Sequence, residues 1–210
     1  MALLYAVYWF RVWQLYRKLC AMRGASSVEI DVVTGLIRGV RYVASPNQDA
    51  RPEGASLDLL VVHGISLPPG EFQGEWVERL FLNELPPDRH PYFAAIAQLK
   101  VSAHLYIRRD GSMTQFVPWH RRAWHAGVSS WRNRLGCNDF SVGIELEGAD
   151  EIPYEPVQYA ALAAVSRELL RVYPTLAADA VVGHSDIAPS RKTDPGPAFD
   201  WQHFRRLLAD

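Results

Sequence analysis

Cysteine is scarce in this sequence, with only Cys20 and Cys137 among 210 residues. The two lie far apart in unlike surroundings, which excludes a disulfide framework and a C-x-x-C metal site and is compatible with a reducing compartment. Excess charge of either sign is also missing: 22 Lys and Arg stand against 23 Asp and Glu, and the body of the chain has no dense basic run. General electrostatics therefore give no reason to expect nucleic acid as a partner. No internal repeat or low-complexity tract is present, so a solenoid is excluded. A full membrane span is missing too. Ala2 to Phe10 is almost wholly apolar, but Arg11 interrupts it at half the roughly 20 residues that a spanning helix needs. Charges follow this run instead of preceding it and no A-x-A cleavage pattern comes after, so it does not read as a secretory signal. Three readings of residues 1–22 stay open here: a short helix lying on a membrane or docking on a partner, a loosely packed extension, and a translation start at Met22.

What is present is enough for one ordinary domain, since 49% of the residues are hydrophobic. Gly24 to Ser27 reads as a linker, Gly39 to Ala44 as a short strand, and Ser45 to Ser56 as a loop rich in Pro, Gly and Asp. Leu57 to Val62 is a continuous apolar run of strand length, which places it centrally in a sheet with His63 at its carboxyl end. Helical spacing over Glu75 to Asn83 ends at Pro86-Pro87. The Asp110-Gly111 step between Ala103 to Ile107 and Met113 to Val117 predicts a hairpin. Ser141 to Glu147 alternates as a strand, with Val142, Ile144 and Leu146 on one face and Glu145 and Glu147 on the other. Pro156 suits the first turn of a helix whose stripe is Val157, Ala161, Ala164, Val165, Leu169 and Val172. A short strand, Ala180 to Val182, then delivers His184, and Trp201 to Leu208 forms a closing helix. Strands and helices mix without regular alternation. The expected fold is therefore mixed α/β, a single domain with a central mixed β-sheet flanked by helices.

The chemistry concentrates in Gly183 to Pro197, which reads as an irregular loop carrying His184, Lys192 and Asp194. Together with His63, these residues offer two histidines at element ends and one carboxylate, the donor set of an open zinc site with its fourth position left for water. Each has an ordinary alternative. His63 and His184 can be histidines satisfied by local hydrogen bonds, Asp194 before Pro195-Gly196 can simply shape a turn, and Lys192 can be solvated. Glu145 and Glu147, alternating with apolar residues, fit two carboxylates on a solvated strand face. Cys137 reads as a structural thiol.

Five segments settle more than the spacing does: Val61-Val62-His63, Ile65 to Phe72, Arg122 to Gly127, Ile144 to Gly148 and Arg191 to Asp200. They resemble the AmpD family of zinc-dependent N-acetylmuramoyl-L-alanine amidases, within the broader amidase and peptidoglycan-recognition fold, and the likeness runs from about Gly35 to about Leu208. It implies an N-terminal extension over residues 1–34 and a zinc amidase domain over residues 35–210. One Zn2+ per chain would sit on His63, His184 and Asp194. Glu145 would move protons between water and the leaving amine, and the Lys192 ammonium would stabilise the developing oxyanion. The implied substrate is a muropeptide, cleaved between N-acetylmuramic acid, preferably in its 1,6-anhydro form, and L-alanine. The implied setting is peptidoglycan recycling by a monomer in the cytoplasm. His125 and Arg122 are expected beside the substrate, with Trp124 either a sugar-facing wall or a core anchor; His104 either lines the cleft or is structural, and Glu147 is assigned a structural role. Two departures stand out: Gly64 where the family commonly has asparagine, and Ser185 where it often has cysteine. The alternatives are a non-catalytic peptidoglycan-binding protein of the same fold and an exported amidase acting on intact wall.

Overall fold

A computed structural model describes residues 28–210, so the apolar N-terminal segment and the Gly24 to Ser27 linker lie outside the described residues. The strands are β1 (Ile30–Asp31), β2 (Leu36–Ile37), β3 (Arg41–Tyr42), β4 (Gln48–Ala50), β5 (Leu59–Ile65), β6 (Leu105–Ile107), β7 (Met113–Gln115), β8 (Arg121–Ala123), β9 (Ser130–Trp131), β10 (Arg134–Leu135), β11 (Ser141–Glu147) and β12 (Val181–Gly183). The helices are α1 (Trp76–Phe81), α2 (Pro91–Ile96), α3 (Pro156–Val172), α4 (His184–Ile187) and α5 (Trp201–Ala209). Six strands form the main sheet in the order β12-β5-β11-β6-β7-β3. The β12, β5, β11 and β6 strands run parallel, the β6–β7 hairpin is antiparallel, and β3 runs parallel to β7, so the sheet is mixed.

The apolar run that marks β5 in the sequence is buried on both faces, as a central parallel strand requires. Leu60 and Val62 join Val142, Ile144 and Leu146 of β11 under α3 and α5, where Leu162, Leu169 and Phe204 close the core. Leu59 and Val61 point the other way, against Cys137, Phe140 and Ile187. A third cluster packs α1 and α2 onto the hairpin through Leu80, Phe81, Phe93 and Phe116. The domain also reaches further back than residue 35: Ile30 is in the main core, and its backbone N–H donates to Glu168 Oε1 at 3.1 Å.

Helix α3 begins at Pro156 as expected, but its buried face differs from the stripe read from the sequence. Leu162, Ala163, Val165, Ser166 and Leu169 face inward, whereas Val157 is 49% exposed. The reason is Gln158, a polar residue that is fully buried. Its amide donates to the carbonyls of Ile107 and Glu147, and its Oε1 accepts from Glu155 N–H, so one side chain caps the helix and ties it to two strand ends. The expected Glu75 to Asn83 helix is realised over its central turn and a half. Helix α2 was not foreseen; six residues are too few to show a period, and only Pro91 at its first turn signals it.

Helix α1 is fastened by charge. Glu78 accepts from Arg108 Nη2 at 2.8 Å and from Arg41 Nη1 at 2.6 Å. Burial works to raise the Glu78 pKa, but the hydrogen bonds from Arg108 and Arg41 outweigh it and hold the carboxyl below the usual glutamate range. A folded-state pKa below the unfolded one means that stability is present above the unfolded value and is lost as pH falls through the lowered one. Glu78→Gln is therefore expected to cost about 1.5–3 kcal/mol at neutral pH. Denaturant unfolding at neutral and acid pH checks this, because the difference between variant and parent should shrink on acidification.

Candidate metal centre

Three elements converge at the carboxyl ends of the parallel strands. His63 is the fifth residue of β5, which runs on through Gly64 and Ile65 instead of ending at the histidine. The parallel register sets Glu145 of β11 directly beside it. His184 opens the single turn of α4 immediately after β12, so this part of the segment is helical, not irregular; Asp186 Oδ2 caps it by accepting from Gly183 N–H at 2.7 Å. Asp194 returns to the site because its carbonyl accepts from Ser185 N–H at 3.0 Å. The turn that follows needs glycine: Gly196 has φ of 83°, and a Cβ there would lie 2.2 Å from Asp150 Cα. Tyr154 Oη donates to the Pro195 carbonyl at 2.9 Å. That same hydroxyl fills the space above Gly64, where a Cβ would lie 2.2 Å from it, so the residue that departs from the family pattern makes room for the clamp on the Asp194 loop.

His63 Nδ1 and His184 Nδ1 are 2.9 Å apart, and each lies 3.1 Å from Asp194 Oδ2. Both rings are buried, and burial, followed by the proximity of His184, lowers the His63 pKa to about 4. Burial works against ionisation of Asp194, yet the hydrogen bonds from His184 and His63 prevail and keep it well below the usual carboxylate range. Two imidazoles and one carboxylate thus bring three potential ligand atoms to a common point, and these residues form a group among those described that could hold a metal ion. A tetrahedral ion with bonds of about 2.0–2.2 Å sets its ligand atoms about 3.3 Å apart, so the observed spacing fits with a small opening.

Glu145 stands next to this group. Its Oε1 is 4.0 Å from His63 Nδ1, and its Oε2 is buried without a hydrogen-bond partner. Burial, with Asp194 adding to it, pushes the Glu145 pKa well above the usual range. A buried, orphaned carboxylate oxygen beside a donor cluster is poised to exchange a proton with whatever enters. Lys192 lines the same cleft of about 570 Å³, whose lining also includes Leu67, Tyr92 and Leu99.

Other residues fall elsewhere. Arg122 lies outside the cleft wall, because the antiparallel β4–β8 pairing sets it opposite Asp49. Its guanidinium bonds Asp49 at 2.5 Å and Asp139 at 2.5 Å, which commits the fork to internal carboxylates. Trp124 is half-buried and also outside the cleft wall, while Trp119 is a core residue stacked on His104. His125 stands behind His63, its Nδ1 2.9 Å from His63 Nε2. Glu147 is buried too: it accepts from Gln73 N–H and Arg109 N–H, pinning the cleft-rim loop to the hairpin turn. Burial raises the Cys137 thiol pKa, as for a packing residue. Sequence reasoning missed Tyr154 and Arg191; the latter donates at 2.6 Å to the Ala126 carbonyl, which also faces His184 Nε2 at 3.3 Å.

The sequence pattern of the N-acetylmuramoyl-L-alanine amidase family matches residues 53–197. A 1,6-anhydro-N-acetylmuramyl-L-alanine amidase AmpD of Salmonella typhimurium (strain SL1344) is 57% identical over 175 residues, covering 83% of this chain and 93% of that protein. A crystal structure of a selenomethionine AmpD derivative superimposes with a TM-score of 0.82 at 55% identity, over 85% of this chain and 98% of that one. The E. coli amidase AmiD, solved in complex with anhydro-N-acetylmuramic acid-L-Ala-D-gamma-Glu-L-Lys, superimposes with a TM-score of 0.54 at 29% identity, over 75% of this chain and 60% of that one. On this agreement of sequence and fold, the chain belongs to the N-acetylmuramoyl-L-alanine amidase family, in its AmpD-type branch.

Proposed function

We propose that the cleft hydrolyses the amide between the lactyl group of 1,6-anhydro-N-acetylmuramic acid and L-alanine, with one zinc ion held by His63, His184 and Asp194. The single observation that carries this reading is the convergence of three donor atoms beside the orphaned Glu145 Oε2. Zinc, when bound, supplies a Lewis acid that acidifies water and polarises a carbonyl. The chain does the rest. Glu145 takes a proton from the attacking water, whose oxygen bonds to the lactyl carbonyl carbon, and passes that proton to the L-alanine nitrogen as the C–N bond breaks. The Lys192 ammonium lies on the cleft wall where it would stabilise the oxyanion that forms in between. Leu67, Tyr92 and Leu99 give the cleft an apolar side for the sugar.

The activity for which the AmpD relative is named and the ligand in the AmiD complex support the anhydro-muropeptide as the substrate, in peptidoglycan recycling. The cytoplasm is the compartment in which such turnover fragments would be met, by a monomer. Among the described residues no helix is long and apolar enough to cross a membrane.

Incubation with anhydro-muropeptide, with and without a chelator and with zinc restored, tests the reading by mass spectrometry of the free peptide. The expected outcome is release of a peptide beginning with L-alanine that the chelator stops and zinc restores. Binding without release would make this a recognition protein instead.

A further inference from the structure

The ring of His63 offers two nitrogens, and the fold disposes of both. Nδ1 faces His184 and Asp194, while Nε2 points back into the domain, 2.9 Å from His125 Nδ1. The other nitrogen of His125, Nε2, is 3.1 Å from Ser141 Oγ. His63, His125 and Ser141 are 1%, 9% and 0% exposed, so water does not compete for these contacts. We propose that His125 and Ser141 are positioning residues, a buried hydrogen-bond relay that fixes which nitrogen of His63 is presented as the metal donor. The proposal rests on the reading of His63 as a ligand.

With Nδ1 of His63 given over to a metal, only one placement of protons satisfies the remaining contacts of the relay. A donor Nδ1 must be bare, so the proton of His63 is on Nε2, from which it is donated to His125 Nδ1. His125 Nδ1 must then be bare as well, and its own proton is on Nε2, donated to Ser141 Oγ. Metal-bound histidines usually lean on a carboxylate, a carbonyl or water. His184 follows that habit with the Ala126 carbonyl, whereas His63 leans on a neutral imidazole.

The surroundings are built for this. Ser141, Gly143 and Glu145 alternate along β11 and share one face. A Cβ on Gly143 would lie 2.4 Å from His125 Cγ, so the glycine clears the space that the ring occupies. Asn138 Oδ1 accepts from the N–H groups of His125 and Ala126 at 3.1 and 2.8 Å, which fixes the backbone that carries the ring. The two rings meet edge-on, with centroids 5.0 Å apart and planes at 86°. One strand face thus supplies the foot of the relay, the gap for its middle member and the carboxylate beside the donors. His125 was expected beside the substrate; although its ring borders the cleft, both of its nitrogens are committed to protein partners.

The test measures zinc affinity by competition with a chromogenic chelator, together with ring 15N spectra of the zinc-loaded parent. His125→Phe keeps an aromatic ring but removes the acceptor, and should weaken zinc binding about 10- to 100-fold. His125→Asn, whose amide oxygen falls near the place of Nδ1, should recover most of the loss. The spectra should show the protons of His63 and His125 on Nε2. Parent-like zinc affinity in His125→Phe with only a raised KM, or a proton on His125 Nδ1, would overturn the relay; the spectra decide even if the variant does not fold. A parent that binds no zinc would instead defeat the functional reading itself.

Discussion

Glu145→Ala is expected to retain one zinc per chain while kcat falls by about 10²- to 10⁴-fold, the usual contribution of a positioned acid–base group. The two parts separate because Glu145 is beside the donor group and not in it. Its Oε1 is 4.0 Å from His63 Nδ1, while His63, His184 and Asp194 contact one another at 2.9 and 3.1 Å. The carboxylate also stands in the fold at a cost, since an unsatisfied buried polar group is worth about 1–3 kcal/mol of destabilisation. The alanine variant should therefore melt no lower than losing the side chain's packing alone would bring it. Metal analysis alongside steady-state kinetics checks both halves, and full turnover in the variant would remove Glu145 as the base.

Asp194→Ala should do the opposite and empty the site. Asp194 is the one anionic donor, and its Oδ2 is the atom that both histidine Nδ1 atoms approach. Without it two neutral nitrogens remain, fewer than the three protein ligands that catalytic zinc sites keep. Zinc content after gel filtration should fall from about one per chain to near zero, with turnover lost in proportion and partly recovered in excess zinc. The loop itself should stay in place, because the contacts holding it use the Asp194 backbone carbonyl and the Tyr154 hydroxyl on Pro195. Stoichiometric zinc in this variant would show that another residue supplies the third donor.

Local signals in the sequence carried much of the fold. The apolar run before His63, the Asp110-Gly111 turn with Gly111 at φ of 82° and Pro156 at a helix start are each readable within a few residues. What pairing between distant segments creates was not readable. Glu145 and Glu147 look like solvated carboxylates by alternation, and both are buried because the face opposite the core is itself covered, by His63 and the rim loop. Arg122 was expected beside the substrate, but the pairing with β4 brings Asp49 across from it. His125 stands out in its motif, but its task depends on Ser141 and on the clearance at Gly143. Spacing alone gave two histidines far apart and a carboxylate with ordinary readings; the family motifs, not the periodicity, joined them.

The central claim is that His63 Nδ1, His184 Nδ1 and Asp194 together hold the metal. Anomalous scattering at the zinc absorption edge, from crystals of the zinc-loaded protein, tests it most directly. The account expects one peak within about 2.0–2.2 Å of those two nitrogens and of an Asp194 carboxylate oxygen, with Glu145 unbonded. A peak on Nε2 of either histidine, or one bonded to Glu145 in place of Asp194, would contradict it.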